Sequence, residues 1–402
     1  MNPSAHPTLE AHLQARLAEI RAAGLWRELR TIGERDGAAV TINGRRLINF
    51  SSNDYLGLMQ HPRLIEAARA ATERFGAGAG ASRLICGTLA PHVELEQTIA
   101  EWKGTEAALA FSCGYSAALG VINALLSKDD ILIVDKLVHA CVVDAAWLCG
   151  ARLRVFAHND LNDLERLLQW ADAQRTANAS RRILVVTESV FSMDGDLAPL
   201  RDIVALKERY GAWLMVDEAH GAGLFGTHRR GLAEEHDVAG QVEIQMGTLG
   251  KAIGAAGGFI CGSRALIDFL INRARSFIFS TAPVPAQAAA ATAGIGLIRS
   301  PEGEALVQRL WSLVDRVKTE FIHAGFAPGP VRSPILPLIV GAETAAVGAA
   351  DRLREKGFLV PAIRYPTVAR GSARLRFTVS AAHTVDDVAA LGRALAELKP
   401  AA

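Results

Sequence analysis

The chain has 402 residues, 50% of them apolar and 21% charged, with a formal net charge of +1. That length can bury a large core and corresponds to about two to three domains, while the near-neutral balance leaves no electrostatic footprint for nucleic acid or an acidic membrane surface. The cysteines, Cys86, Cys113, Cys141, Cys149 and Cys261, are odd in number and lack a CxxC pair, which argues for reduced thiols and against a disulfide frame or a zinc site, and no metal is expected.

Met1 to Glu10 shows no basic-then-apolar leader pattern, and apolar runs further on are broken by Gly or charge before about 18 residues. A cytoplasmic globular protein without a membrane span is expected. Leu9 to Leu29 carries Leu13, Leu17, Ile20 and Ala23 at helical spacing among charges and reads as an amphipathic helix. Val40 to Phe50 reads as a hairpin around Asn43-Gly44. Short apolar strands then follow at Ala107–Phe111, Ile131–Val134, Arg152–Phe156, Ile183–Thr187, Trp213–Val216, Ile244–Met246 and Gly258–Cys261, most of them separated by helical patterns such as Leu161–Ala173 and Leu197–Tyr210. That alternation predicts a mainly parallel sheet covered by helices on both faces, with ligands at the strand C-termini.

After Pro283 and Pro285 the pattern changes to helices at Ala286–Ile298, Glu302–Ala324, Glu343–Lys356 and Asp386–Leu398, with strands near Ile335–Val340, Phe358–Pro361 and Leu375–Val379. The fold class is therefore α/β: a large domain around the mainly parallel sheet, a smaller C-terminal α+β domain and an N-terminal helical segment. The boundaries are placed at 1–48, 49–290 and 291–402.

Two strand ends carry the most informative chemistry. The apolar run Ala212–Val216 delivers Asp217-Glu218-Ala219-His220, and the next run delivers Gly247-Thr248-Leu249-Gly250-Lys251-Ala252. A lysine among Gly and Ala has room around its amine for a bulky partner. Lysine forms Schiff bases, and pyridoxal phosphate (PLP) sites pair that lysine with an Asp on the pyridinium nitrogen. Asp217 would keep that nitrogen protonated, and His220 can meet the ring hydroxyl. Strand-end Asp and surface Lys are common alone; the paired spacing is what gives the pattern its weight. Ser112-Cys113-Gly114-Tyr115-Ser116 sits between a strand and a helix and forms a phosphate cup, although any tight strand-to-helix turn looks the same. His139, at the end of the next strand, is either a satisfied core histidine or a ring stacked on the cofactor. Ser192, in the Glu188–Asp196 segment, could donate to the phosphate or a ring oxygen.

Two motifs are decoys. Gly221-Ala222-Gly223-Leu224-Phe225-Gly226 matches GxGxxG, but the Thr227–Gly231 sequence that follows is no amphipathic helix. Gly250-Lys251 lacks the first glycine and the Ser/Thr of a phosphate-binding loop. A dinucleotide-dependent dehydrogenase is thereby disfavoured, and the presence of Lys251 counts against a non-catalytic subunit.

With these residues in view, nearly the whole chain resembles the α-oxoamine synthases, PLP enzymes of the aspartate-aminotransferase fold type. The resemblance runs through Asn49–Leu58, Ser82–Thr88, Thr187–Asp196, Val216–Gly221, Thr248–Lys251, Phe279–Thr281, Ala362–Val368 and Ala373–Arg376. It implies that Lys251 holds PLP, Asp217 the ring nitrogen and His220 the ring hydroxyl, with His139 stacked on the ring. Gly114, Tyr115, Ser192 and Thr248 would hold the cofactor, and Thr281 would reach the phosphate across a homodimer interface. Lys251, His139 and Asp217 would be catalytic. Arg364 resembles the arginine that binds the amino-acid carboxylate, while Arg27, Asn53, His139 and Thr367 match other substrate positions. The implied activity is a decarboxylative condensation of L-alanine with a pimeloyl thioester carried by CoA or a carrier protein. A sibling using glycine and acetyl-CoA has the same site, and acyl-chain choice lies in pocket shape.

Overall fold

The computed structural model describes residues 8–177, 180–329 and 332–398. The element ranges show how the sheet is fed. A seven-stranded sheet is built from β4 (Ala107–Phe111), β5 (Ile131–Asp135), β6 (Arg152–Phe156), β7 (Ile183–Glu188), β8 (Trp213–Asp217), β9 (Ile244–Thr248) and β10 (Gly258–Gly262), in the order β4-β10-β9-β8-β7-β5-β6. β5, β6, β7, β8 and β9 pair in parallel, and β10 runs antiparallel to both of its neighbours. All residues of β4, β5 and β7 are buried, as expected of strands covered on both faces.

Alternate residues of single strands feed different cores. Ile131, Ile133, Val185, Leu214 and Val216 join one apolar cluster, whereas Leu132, Val134, Leu184, Val186 and Met215 join another on the opposite face. Each such fully buried side chain stabilises the fold by about 1.5–3 kcal/mol relative to exposure. Helix Gly114–Leu125 covers the second face, packing with helix Ala140–Cys149. The first cluster continues without a break into Phe321, Leu336, Phe377 and Leu391 of the C-terminal part.

There, β11 (Ile335–Gly341), β13 (Ala362–Ile363) and β14 (Ala373–Thr378) form a three-stranded antiparallel sheet. Helix Val385–Ala396 starts at the expected place through a reciprocal cap: Asp387 N–H donates to Thr384 Oγ1 at 3.1 Å, and Thr384 N–H to Asp387 Oδ2 at 2.8 Å.

Two expectations need correction. The N-terminal helix spans Leu9–Ala22 and stops at Gly24, whose left-handed φ of 66° ends a helix readily. Its apolar residues do not enter the core, for none of its residues is buried and Leu9 is 75% exposed. The run Phe358–Pro361 is not one strand. Proline offers no N–H to a ladder, and the chain splits around it into β12 (Phe358–Leu359) and β13. β12 pairs in parallel with β3 (Arg45–Asn49), which itself forms the expected hairpin with β2 (Ala39–Ile42). The N-terminal hairpin is therefore completed by a strand from the far end of the chain. Among the described residues no helix is long and apolar enough to cross a membrane.

Candidate active site

The C-terminal ends of β7, β8 and β9 place Glu188, Asp217 and Thr248 side by side, and the turn after β9 returns Lys251 to the same spot. Together with Gly114, Tyr115, His139, Cys141, Ala219, His220 and Met246 they line a cavity of about 170 Å³. Lys251 Nζ lies 2.6 Å from His220 Nε2, and His220 Nδ1 lies 2.5 Å from the Tyr55 hydroxyl. An ammonium can only donate. With Lys251 protonated, His220 must carry its proton on Nδ1 and donate to the tyrosine oxygen. Burial holds the imidazole neutral, well below its usual range, and the charges of Lys251 and Arg376 act the same way.

Burial also pulls the Lys251 amine down to about 8, opposed by the nearby Asp217 and Glu188 carboxyls. Asp217 is 5% exposed, and burial pushes its carboxyl up while Lys251 pulls it down. Its Oδ1 accepts the Ala219 amide at 2.8 Å, which holds the carboxyl facing the cavity. A buried amine and a buried carboxylate across one small cavity are what a Schiff-base cofactor with a pyridinium nitrogen requires.

His139 caps helix Ala140–Cys149: its Nδ1 accepts the Cys141 amide at 3.3 Å and lies 3.1 Å from Cys141 Sγ. Burial lowers its pKa, with Asp217 raising and Lys251 lowering it further. Gly114 and Tyr115 line the cavity and open helix Gly114–Leu125, whose first-turn N–H groups have no intrahelical acceptor, the arrangement that suits an anion. Close approach forces small residues here, since a Cβ on Gly258 would sit 2.5 Å from the Gly114 nitrogen. Thr248 Oγ1 donates to Gly257 O at 3.0 Å and accepts the Gly250 amide at 3.2 Å, shaping the turn that presents Lys251. These donors, the amine and the carboxylate fit pyridoxal phosphate.

Other anticipated residues lie outside the cavity wall. Ser192 is tied by its main chain, its amide donating to Glu188 Oε2 at 3.3 Å and its carbonyl accepting Arg376 Nε at 2.6 Å. Asn53 Oδ1 accepts both terminal nitrogens of Arg376 at 3.2 Å. Arg364 does not line the cavity; it donates to the carbonyls of Gly24, at 2.5 Å, and Trp26, at 3.3 Å, tying down the N-terminal segment. Arg27 is exposed on that segment, and Thr367 is exposed in the turn whose amide bonds to Arg364 O at 3.0 Å. Thr281 is exposed and bridges to Ser82. The segment around Ser82 is held by Arg83, bidentate to Glu96 at 2.9 Å in both bonds, and Glu96 Oε1 also accepts the Ala110 amide at 2.9 Å.

Three residues at the site were not singled out from sequence: Tyr55, Glu188 and Arg376. Arg376 belongs to β14, and its charge reaches Lys251, His220 and Tyr55. Only the Arg-x-Arg spacing of Arg374 and Arg376 signalled it, since alternate residues of a strand face one way. Glu218 has a purely structural place, accepting the Leu232 and Ala233 amides at 3.1 and 2.8 Å. The Gly221–Gly226 stretch forms turns and no helix, in keeping with its dismissal as a dinucleotide loop.

Comparison with known proteins agrees with this geometry. The sequence model of the family described as aminotransferase class I and II matches residues 45–395. The chain is 47% identical, over 95% of its length and 97% of the relative, to 8-amino-7-oxononanoate synthase of Geobacter sulfurreducens. A serine palmitoyltransferase variant from S. paucimobilis, solved with a bound PLP–myriocin aldimine, superposes with a TM-score of 0.91 at 28% identity, covering 98% of each chain. The 8-amino-7-oxononanoate synthase of Francisella tularensis superposes with a TM-score of 0.73 at 26% identity, covering 87% of this chain and 97% of that one.

Proposed function

The chain belongs to the aminotransferase class I and II family, and from that premise we propose that it condenses L-alanine with a pimeloyl thioester, releasing 8-amino-7-oxononanoate, CO2 and the free thiol, a step of biotin biosynthesis. It is a pyridoxal-phosphate-dependent acyltransferase. The observation that carries the reading is the Lys251 amine facing Asp217 at the strand ends, in a chain 47% identical to an enzyme of that name.

Bound pyridoxal phosphate supplies an electron sink next to the amino acid's α-carbon. Lys251 Nζ would hold the cofactor and would serve as the base for the proton on that carbon. Its depressed pKa suits a base at neutral pH. Asp217 would keep the ring nitrogen protonated, His220 would serve the ring hydroxyl, and His139 would stack on the ring and assist as acid. Gly114 and Tyr115 would offer their amides to the phosphate, with Thr248 in the same cavity wall and Ser192 just behind it on the Glu188 loop. Arg376, whose charge reaches Lys251 and His220 from a frame of Asn53, Thr378 and Ser192, is our choice over Arg364 for the guanidinium that binds the alanine carboxylate. Arg364, Arg27 and Thr367 stand together on the N-terminal side and shape the acyl-donor site.

The active unit is a homodimer in which Thr281 reaches the partner's phosphate site. Exposed Leu84, Ile85 and Phe279 lie near the Ser82–Thr281 bridge and support this reading. Thiol release measured over a matrix of amino acids and acyl thioesters, with both CoA and carrier-protein donors, tests the substrates. Alanine with a pimeloyl thioester is the expected optimum. Glycine with acetyl-CoA, or serine with a long acyl chain as the 0.91 superposition would favour, would displace it.

A further inference from the structure

Glu188 stands at the end of β7 in register with Asp217 on β8, and both line the Lys251 cavity. Glu188 is 3% exposed. Its Oε2 accepts the Ser192 amide, and the His139 amide lies close enough to favour its anion, yet Oε1 is buried with no partner among the described residues. Parallel strands place such register partners next to each other, so two carboxyls share one desolvated cavity with one ammonium between them. Both cannot ionise there without large repulsion, and one proton belongs to the pair. Asp217 has the stronger claim to the charge, because the Ala219 amide donates to it at 2.8 Å and Lys251 faces it.

We propose that Glu188 works as a neutral carboxylic acid that positions pyridoxal phosphate, its carbonyl oxygen holding the Ser192 loop and its hydroxyl serving the bound cofactor as a donor. The proposal rests on the cofactor assignment and not on the choice of substrates. Burial first, and then the Asp217 charge, push the Glu188 carboxyl up to about 8, against the pull of Lys251. Titratable and charged groups meet it from every side: Asp217 on β8, Lys251 after β9, His139 and Cys141 from the cap and first turn of helix Ala140–Cys149, Tyr55, and Arg376 from β14, which binds Ser192. A charged Glu188 would instead leave Oε1 as an unpaired buried anion.

Glutamine keeps one acceptor and one donor in the same shape, and alanine removes both. Cofactor affinity is read from the visible absorbance band, with the melting temperature of each cofactor-free variant measured alongside. Glu188→Gln should stay within about threefold of wild type, while Glu188→Ala should bind at least about tenfold more weakly, at similar cofactor-free melting temperatures. A Gln variant as weak as the Ala variant would mean that the group acts as an anion, and an Ala variant as tight as wild type would remove its role; either overturns the proposal. Should Glu188→Ala not fold, affinity is followed with pH. Wild type should weaken relative to Glu188→Gln as pH rises through about 8, and identical profiles would overturn the proposal. Failure of the wild type itself to form the band would instead overturn the cofactor assignment beneath it.

Discussion

Lys251 Nζ and His220 Nε2 approach to 2.6 Å, and the imidazole passes that contact on to the Tyr55 hydroxyl. The amine is thereby aimed into the cavity by a buried relay instead of swinging free on its four-carbon stem. Replacing Lys251 by Ala should abolish turnover and the visible band reducible by borohydride, with an unchanged far-UV circular dichroism spectrum. Only the neutral amine is nucleophilic, and its pKa is about 8. Uptake of pyridoxal phosphate by the cofactor-free protein, followed by stopped-flow absorbance, should therefore accelerate as pH rises toward 8 and level off above it.

Tyr55→Phe leaves the His220 Nδ1 proton without an acceptor in a buried site. An unsatisfied buried donor costs about 1–3 kcal/mol, so cofactor affinity or kcat should fall by roughly fivefold to a hundredfold. An unchanged visible spectrum and unchanged kinetics would show that the tyrosine merely packs.

The proposed function gives Arg376 and Arg364 to different substrates. Losing a desolvated charge-pair partner costs on the order of 2–5 kcal/mol, so Arg376→Ala should raise the alanine KM by about thirtyfold to a few thousandfold, with a smaller change for the thioester. Arg364→Ala should release the Gly24 and Trp26 carbonyls and act mainly on the thioester KM. The opposite pattern would return the carboxylate to Arg364.

His158 ties the end of β5 to the loop after β7, meeting Asp135 Oδ1 at 2.9 Å and Asp196 Oδ2 at 2.6 Å. Burial lowers its pKa, but the two carboxylates outweigh that and raise it to about 10. A raised folded-state pKa means stabilisation that is complete below the ordinary value of 6.5 and lost as pH rises through about 10. His158→Gln should therefore destabilise by about 1.5–3 kcal/mol near pH 7, and the gap to wild type should close by pH 10 in denaturant titrations.

Sedimentation at assay concentration should show a dimer. Ile85 is 80% and Phe279 72% exposed, and paired substitution of both by Asp should shift the equilibrium toward monomer and reduce activity in proportion. A fully active monomer would refute the shared site.

Much of this was legible in the sequence because it is local. Short apolar runs such as Ile131–Val134 and Ile183–Val186, bounded by polar residues and rich in β-branched side chains, read as strands buried on both faces, and a chemical group set just after such a run, as Asp217, Thr248 and Lys251 are, is expected at the ligand edge of the sheet. The amine–carboxylate pair was therefore visible before any fold. What the sequence could not decide are contacts that close over long chain separations. β12 pairing with β3, Tyr55 meeting His220 and Arg376 reaching Asn53 depend on how distant segments pack, and periodicity carries no record of them. The same holds for Glu188 beside Asp217: each is an ordinary strand-end acid along the chain, and only the register of β7 on β8 brings the two carboxyls into one cavity, where burial and mutual repulsion favour a proton on the pair.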